Sequence, residues 1–348
     1  MKIAVISLTG NGRILSGKIA AGLGSRHSVT RFCHTSHSDD DSVPFDSLNS
    51  LTERIFGSYD ALVFLCAVGI AVRVCAPHIV SKLSDPAAVV VDDTGKFAVS
   101  LFSGHIGGAN ALAGKIAELI DATPVITTAT DRHGLFSPDI FAKQNRLVIC
   151  NMNAAKAVAA AVVNGEKVGV VCRYPHGAVP AELTECTGGS IGICITDKAG
   201  DRPFDTTLVL MPENLVAGIG CKKGTSEEKT EEHIAAVFSA NGLDIRRLSA
   251  AATIDIKADE PGLNGFCKTH GITLRTFSAE ELMRAEGEFT HSDFVEKTTG
   301  ADNVCERAAV CAGGRLIVPK TCGGGVTAAV AELAVNIDFE RKDDLCFI

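Results

Sequence analysis

The stretch LFSGHIGGANALAGKIAELIDATPVITTATD, from Leu101 to Asp131, is dense in reactive groups. Ser103, His105 and Asn110 flank a glycine pair, Gly107 and Gly108, just ahead of an expected helix. The strand after that helix ends in Thr127, Thr128, Thr130 and Asp131. If the strands on either side are parallel neighbours, their ends point the same way and His105 approaches Asp131. An imidazole beside a carboxylate can act as a general base, and helix-start N–H groups can hold an oxyanion. Ser103 is a less natural nucleophile, because the GxSxG elbow would need glycine where Leu101 stands. The plain alternative is that the hydroxyls cap helices and His105 is a satisfied structural residue.

A second chemistry is written at Gly218–Glu228, GIGCKKGTSEE. A strand ends in glycine, Lys222 and Lys223 follow, and Thr225 with Glu228 forms a capping-box pattern that opens a helix. Helix N-termini attract anions, and glycines let the backbone approach them. Near the C-terminus Arg315, Lys320 and Gly323-Gly324-Gly325 repeat the arrangement, so both turns are expected at one sheet edge. The bland reading is solvated lysines on ordinary turns. Arg73, after Gly69 in an apolar setting, could meet a ligand carboxylate or a structural partner. TGNGRILSG near the N-terminus lacks the third glycine of a dinucleotide fingerprint, which argues against a nicotinamide or flavin. HTSHSDDDS, with His34, His37 and Asp39 to Asp41, reads as a solvated loop rather than a metal site.

Short β-branched runs alternating with helical patterns must position these groups, which is the signature of α/β layering. Three α/β units are expected: a Rossmann-like layered N-terminal domain (1–132), a small central domain (133–212) and a C-terminal domain (213–348). Predicted strands include Lys2–Leu8 and Ala61–Cys66, and an antiparallel hairpin turns at Asp92–Gly95. Leu112, Ile116, Leu119 and Ile120 share one helix face. In the last unit strands are expected near Ile245 and Ile254, and VTAAVAELA is predicted to be the closing helix.

The 348 residues carry 33 Lys and Arg against 41 Asp and Glu, a net charge of -8. That excludes a general nucleic-acid or membrane-surface binder, so anionic ligands must be held by local basic sites. No run is long enough to span a membrane, and the N-terminus reads as a strand rather than a signal peptide. The 13 cysteines contain no CxxC pair, which favours reduced, buried thiols in a cytoplasmic protein over a metal or disulfide framework. A homodimer is compatible with the sequence, as is a monomer.

At these residues the sequence resembles the CbiG family, the cobalt-precorrin-5A hydrolases of anaerobic cobalamin biosynthesis. The blocks are GIAVR (69–73), DPAAVVVDDTGKFAVSLFSGHIGGAN (85–110), PVITTATD (124–131), GIGCKKGTS (218–226), ADNVCERAA (301–309) and LIVPK (316–320). The C-terminal unit also looks like the CobE-type domain. Lys222-Lys223 stands where arginines are common, which keeps charge but loses forked carboxylate recognition. The resemblance implies that water opens the ring A acetate δ-lactone of cobalt-precorrin-5A and that a two-carbon unit leaves as acetaldehyde. His105, Asp131 and Ser103 are then the catalytic candidates. Arg73, Gly107, Gly108, Asn110, Thr127, Thr128, Lys222, Lys223, Thr225 and Lys320 are the candidates for binding a polycarboxylate tetrapyrrole. Cobalt would arrive within that substrate, so no cofactor of the protein's own is expected, and His105 could alternatively contact the metal. Competing readings are a non-catalytic corrinoid-binding or hand-over protein and, on the glycine turns alone, a phosphate- or nucleotide-binding enzyme.

Overall fold

The computed structural model describes residues 1–81, 84–104, 107–127 and 135–340 and places them in three sheets. The chain divides into two compact units. One holds Met1–Gln144, Ala159–Lys167 and the segment from Glu340; the other holds Asn145–Val158 and Val168–Phe339.

The first sheet uses β1 (Lys2–Ser7), β2 (Ser28–His34), β3 (Val43–Phe45), β4 (Ala61–Leu65), β5 (Ala87–Val91), β6 (Phe97–Phe102) and β7 (Thr123–Val125). Their spatial order is β3-β2-β1-β4-β5-β6-β7. The strands from β1 to β5 run parallel, β6 turns back against β5, and β7 lies parallel to β6. β4 and β5 are buried at every position because helices cover both faces. These helices are α1 (Gly10–Leu23), α2 (Leu48–Ile55), α3 (Val68–Cys75) and α4 (Ala109–Ile120). Ile19, Leu23, Leu112 and Ile116 pack with Ile3, Val5, Val63 and Val89, while Leu51, Ile55, Ala71 and Val74 pack with Ala4, Ile6, Leu62 and Phe64.

The hairpin reverses where the sequence predicts it. Asp92 accepts from the N–H groups of Thr94 (3.1 Å), Lys96 (2.8 Å) and Phe97 (2.6 Å). Burial acts to raise its carboxyl, and the hydrogen bonds overcome that and hold it below its ordinary value. In the turn after β1, Thr9 caps α1 by accepting from Gly12 N–H at 3.0 Å, and its hydroxyl donates to Asp93. α5 (Pro138–Gln144) follows the first sheet.

The second sheet comprises β8 (Leu147–Ile149), β9 (Val168–Cys172), β10 (Leu183–Glu185), β11 (Gly189–Ile195) and β12 (Phe204–Pro212), with α6 (Met152–Val163) after β8. Its order is β10-β9-β11-β12-β8, parallel except for β8.

The third sheet comprises β13 (Leu215–Cys221), β14 (Leu248–Ile254), β15 (Thr273–Phe277), β16 (Arg315–Gly323) and β17 (Val326–Glu332), in the order β15-β14-β13-β17-β16. Two expectations are corrected here. VTAAVAE is a strand, not a helix: β17 is buried between β13 and β16, so sheet pairing overrides its helical composition. Ile245 begins a 3-10 turn, leaving one strand, β14, where two were expected.

The helices of this part are α7 (Glu227–Ala240), α8 (Pro261–Thr269), α9 (Ala279–Arg284), α10 (Asp293–Thr299) and α11 (Cys305–Cys311). α11 presses on β13 so closely that a Cβ at Gly218 would lie 1.8 Å from the Cys305 carbonyl oxygen. The ADNVCERAA block is structural. Buried Glu306 accepts from Thr290 N–H (2.7 Å), Asn303 Nδ2 (2.6 Å) and Lys320 N–H (2.7 Å). Asp302 accepts from Arg307 through both oxygens, at 2.6 and 3.0 Å.

No helix among the described residues is long and apolar enough to cross a membrane. The twelve described cysteines are free thiols, and burial pushes several far up, Cys66 to about 11 and Cys75 and Cys194 to about 12.

Candidate active site

The reversal at β5–β6 decides where the reactive loop emerges. β6 and β7 run in register, Phe97 opposite Thr123 and Val99 opposite Val125, so the residues beyond both strands leave at one edge. That edge carries the N-terminal ends of β4 and β5, because β6 is antiparallel to β5.

Ser103 opens the turn with a left-handed backbone, φ 56°, which is unfavourable by about 1–2 kcal/mol for a residue with a Cβ. The residue is only 8% exposed, and its buried Oγ has no hydrogen-bond partner among the described residues. Leaving a buried hydroxyl unpaired is unfavourable by a further ~1–3 kcal/mol. The Ser103 carbonyl accepts from Ala109 N–H and the Gly104 carbonyl from Asn110 N–H, both at 3.1 Å. The first two amides of α4 therefore close the turn and point at its own carbonyls rather than at a ligand. Gly107 is required by close approach: a Cβ there would sit 2.5 Å from Ser103 Cβ and 2.7 Å from its carbonyl oxygen. Gly108 is left-handed at φ 86°.

A cleft of about 390 Å³ opens at this turn, lined by Tyr59, Asp60, Ser84, Asp85, Gly107 and Lys143 among others. Asp85 is fixed by the N–H groups of Val80 and Ser81, both at 2.9 Å, and Asp60 accepts from Lys2 N–H at 2.6 Å. The Tyr59 ring stands edge-on to Phe32 at 6.0 Å, with Lys2 Nζ 4.5 Å over its face. Tyr59 and Asp60, adjacent in the chain, meet Lys143 from a distant segment, and no local motif marks either segment.

Of the residues chosen from sequence, Ser103 and Gly107 are brought into contact at this cleft. Asn110 is buried in the first turn of α4 with its amide against Gly104, and Thr127 is exposed beyond β7. His105, Thr128 and Asp131 lie outside the described residues. Arg73 sits in the last turn of α3, exposed beside the outward-facing Val68, Ile70 and Val72.

In the other unit the two basic turns do meet. β13 and β16 both run antiparallel to β17, so Cys221 and Gly323 both stand opposite Val326, and Lys222 N–H donates to the Gly325 carbonyl at 3.1 Å. Lys222 and Lys223 are exposed. Gly224 takes φ 74°, and its N–H donates to Glu260 Oε2 at 3.0 Å. Lys257 Nζ lies 2.7 Å from the same carboxylate. Lys257 foremost, then the Gly224 amide, holds the Glu260 carboxyl below its ordinary value. The helix cap is Ser226, one residue later than expected; Thr225 instead donates its hydroxyl to the Lys222 carbonyl at 2.7 Å and closes the turn. Lys320 lies at a bulge of β16 rather than in the glycine turn.

Other polar clusters among the described residues are tied by ion pairs of their own, though Asp39 Oδ1 is buried without a partner. Asp39 is tied to Arg31 at 2.8 Å and Arg13 at 3.2 Å, and the Arg31 hydrogen bond holds its carboxyl down at about 2. That loop is therefore pinned by ion pairs rather than simply solvated. His291, Asp293 and Glu296 form an exposed group in which His291 Nε2 lies 2.7 Å from Asp293 Oδ1. A second cleft, about 410 Å³, is lined by Glu213, Arg246 and His270. Arg246 is held there by Asp244 at 2.6 Å and His270 by Glu231 at 2.6 Å.

Three family models match the chain in succession. Residues 50–131 match the cobalamin synthesis G N-terminal region, 136–212 the cobalamin biosynthesis central region and 215–331 the cobalamin synthesis G C-terminus. The cobalt-precorrin-5A hydrolase of Salmonella typhimurium is 35% identical over 88% of this chain and 90% of its own length. The protein of that name from Priestia megaterium is 33% identical over 82% of each chain. Among solved structures, a cobalamin biosynthesis protein G homologue from Sulfolobus solfataricus is 24% identical, covers 95% of this chain and 97% of its own, and superposes with a TM-score of 0.43.

Proposed function

The chain belongs to the cobalamin synthesis G (CbiG) family, and from that premise we propose that it is a cobalt-precorrin-5A hydrolase. The observation that carries this reading is the near full-length likeness to two proteins named for that activity, across all three family regions. Water adds to the ring A acetate δ-lactone and opens it to a carboxylate and an alcohol. The alcohol then gives up its hydroxyl proton to solvent, the carbon–carbon bond to the two-carbon unit breaks, its electron pair stays on the macrocycle, and the alcohol carbon leaves as acetaldehyde. The product is cobalt-precorrin-5B.

In this reading His105 takes the proton of the attacking water, with Asp131 orienting the imidazole. Thr127 and Thr128 are assigned to the substrate as hydroxyl contacts, and Asn110, buried against Gly104, to holding the turn. Carboxylates of the tetrapyrrole are assigned to cationic side chains, Arg73 in the first unit and Lys222, Lys223 and Lys320 in the second, where Thr225 closes the lysine turn, since charge-assisted hydrogen bonds are the strong ones available to a polyanion. Cobalt is part of the substrate, the protein supplies no cofactor of its own, and the reaction takes place in the cytoplasm.

The test is direct. Purified protein incubated with cobalt-precorrin-5A should release one acetaldehyde per macrocycle, detected by trapping the aldehyde while the macrocycle is followed by mass. Tight corrinoid binding with no aldehyde would replace the hydrolase with a carrier.

A further inference from the structure

Ser103 is held in a backbone conformation that suits glycine, its hydroxyl is buried, and Oγ has no partner among the described residues. A glycine at this position would relieve the backbone and remove the unpaired group. Strain and an orphaned polar atom that coincide at one residue, beside a cleft, mark a functional group rather than a packing accident. The Ala109 and Asn110 amides at the start of α4 are already committed to the Ser103 and Gly104 carbonyls. Oxyanion support must therefore come from another donor, and the Ser103 hydroxyl is one that stands unused. Gly107, which lies against Ser103 Cβ, is also the residue of this turn that lines the cleft.

We infer that Ser103 Oγ donates the hydrogen bond to the lactone carbonyl oxygen, and so is a catalytic residue of the oxyanion site rather than a nucleophile. The inference rests on the hydrolase reading and adds the group that holds its developing charge. Water oxygen bonds to the carbonyl carbon and gives one proton to the base. The carbonyl oxygen becomes negative, and the Ser103 hydrogen bond strengthens as it does so. The ring C–O bond then breaks, the departing alkoxide takes the proton back, and carboxyl and alcohol are left. Ser103 keeps its own proton throughout. A nucleophilic serine needs a base within hydrogen-bond reach of Oγ, and none of the described residues provides one.

Ser103→Ala and Ser103→Gly, prepared in the full-length protein, separate the alternatives. Both should lower kcat for acetaldehyde release by about 100- to 1,000-fold, the scale of losing one oxyanion donor, with KM within about threefold. Ser103→Gly should melt no lower than the parent, since glycine accepts φ 56° freely. Turnover by Ser103→Gly within threefold of the parent, a loss confined to KM, or a substrate adduct on Ser103 found by mass spectrometry would each overturn the assignment. A parent protein that releases no acetaldehyde removes the hydrolase reading itself, so the two failures are told apart.

Discussion

The turns 103–108 and 222–226 look alike in sequence: each leaves a strand, contains glycine and opens a helix of a dozen residues or more. Their polar groups are disposed in opposite ways. After β6 the helix-start amides fold back on the turn, and a hydroxyl is left unpaired inside. After β13 the free groups are cations on the outside, and the Gly224 amide is turned toward a carboxylate of its own chain. A glycine-rich helix start is thus no site in itself. What a turn can do is set by the groups that its own hydrogen bonds leave over, an inward donor for chemistry in one case and outward charge for holding a substrate in the other.

The sharpest way to break this contrast is to fill each glycine. Gly107→Ala drives a Cβ into Ser103, so it should cut kcat by at least ~100-fold, as misplacement near a reacting centre does, and weaken unfolding by about 1–3 kcal/mol. Gly224→Ala meets nothing within 4 Å and bears only its φ of 74°, costing about 1–2 kcal/mol with kcat kept. Turnover and urea melts on both variants read the difference, and equal losses of kcat would erase the distinction.

A smaller effect is expected from the lysines. Lys222→Ala with Lys223→Ala should raise KM about tenfold, roughly up to 1 kcal/mol for each exposed charge, and leave kcat within threefold. Raising salt should mimic the double variant in the parent and have little further effect in the variant. A collapse of kcat instead would move these residues into the chemistry.

The smallest effect belongs to Glu260. Its folded carboxyl is held below the ordinary value of 4.5, so its stabilisation is present above that value and is lost as pH falls through the lower folded one. Melting temperatures of the parent and Glu260→Gln should differ at pH 6 and converge as pH is taken down toward 3. A gap that persists at low pH would mean the carboxylate charge is not what ties Lys257 and Gly224 together.

Much of the framework was legible because local signals agreed with the tertiary outcome. The Asp92–Gly95 hairpin and the apolar face of α4 follow from turn chemistry and periodicity, whereas the parallel pairing of β6 with β7 enters the sequence reading only as a condition, which the structure meets. β17 was misread because its alanines favour a helix locally, and only the flanking β13 and β16 make a strand of it. Thr225 and Ser226 are adjacent hydroxyl residues either of which could cap, and the bond from Thr225 to the Lys222 carbonyl settles the choice. The cleft was the least legible part. It exists because β6 runs backward, which sets the N-terminal ends of β4 and β5 beside the C-terminal end of β6. No spacing rule in the sequence links Tyr59 or Asp60 to Gly107.

The pairing of β6 has a consequence for the order in which the protein is assembled. β6 pairs with β5 and β7, its immediate neighbours along the chain, and the Ser103 turn is closed by the residues that follow it. The lysine turn instead rests on β17, with Cys221 opposite Val326 roughly a hundred residues later. During synthesis the strained serine turn can therefore be built from a short, newly emerged stretch, whereas the basic edge waits until the chain is almost finished. The turn proposed to do chemistry is shaped first, and the lysine edge proposed to bind substrate carboxylates last.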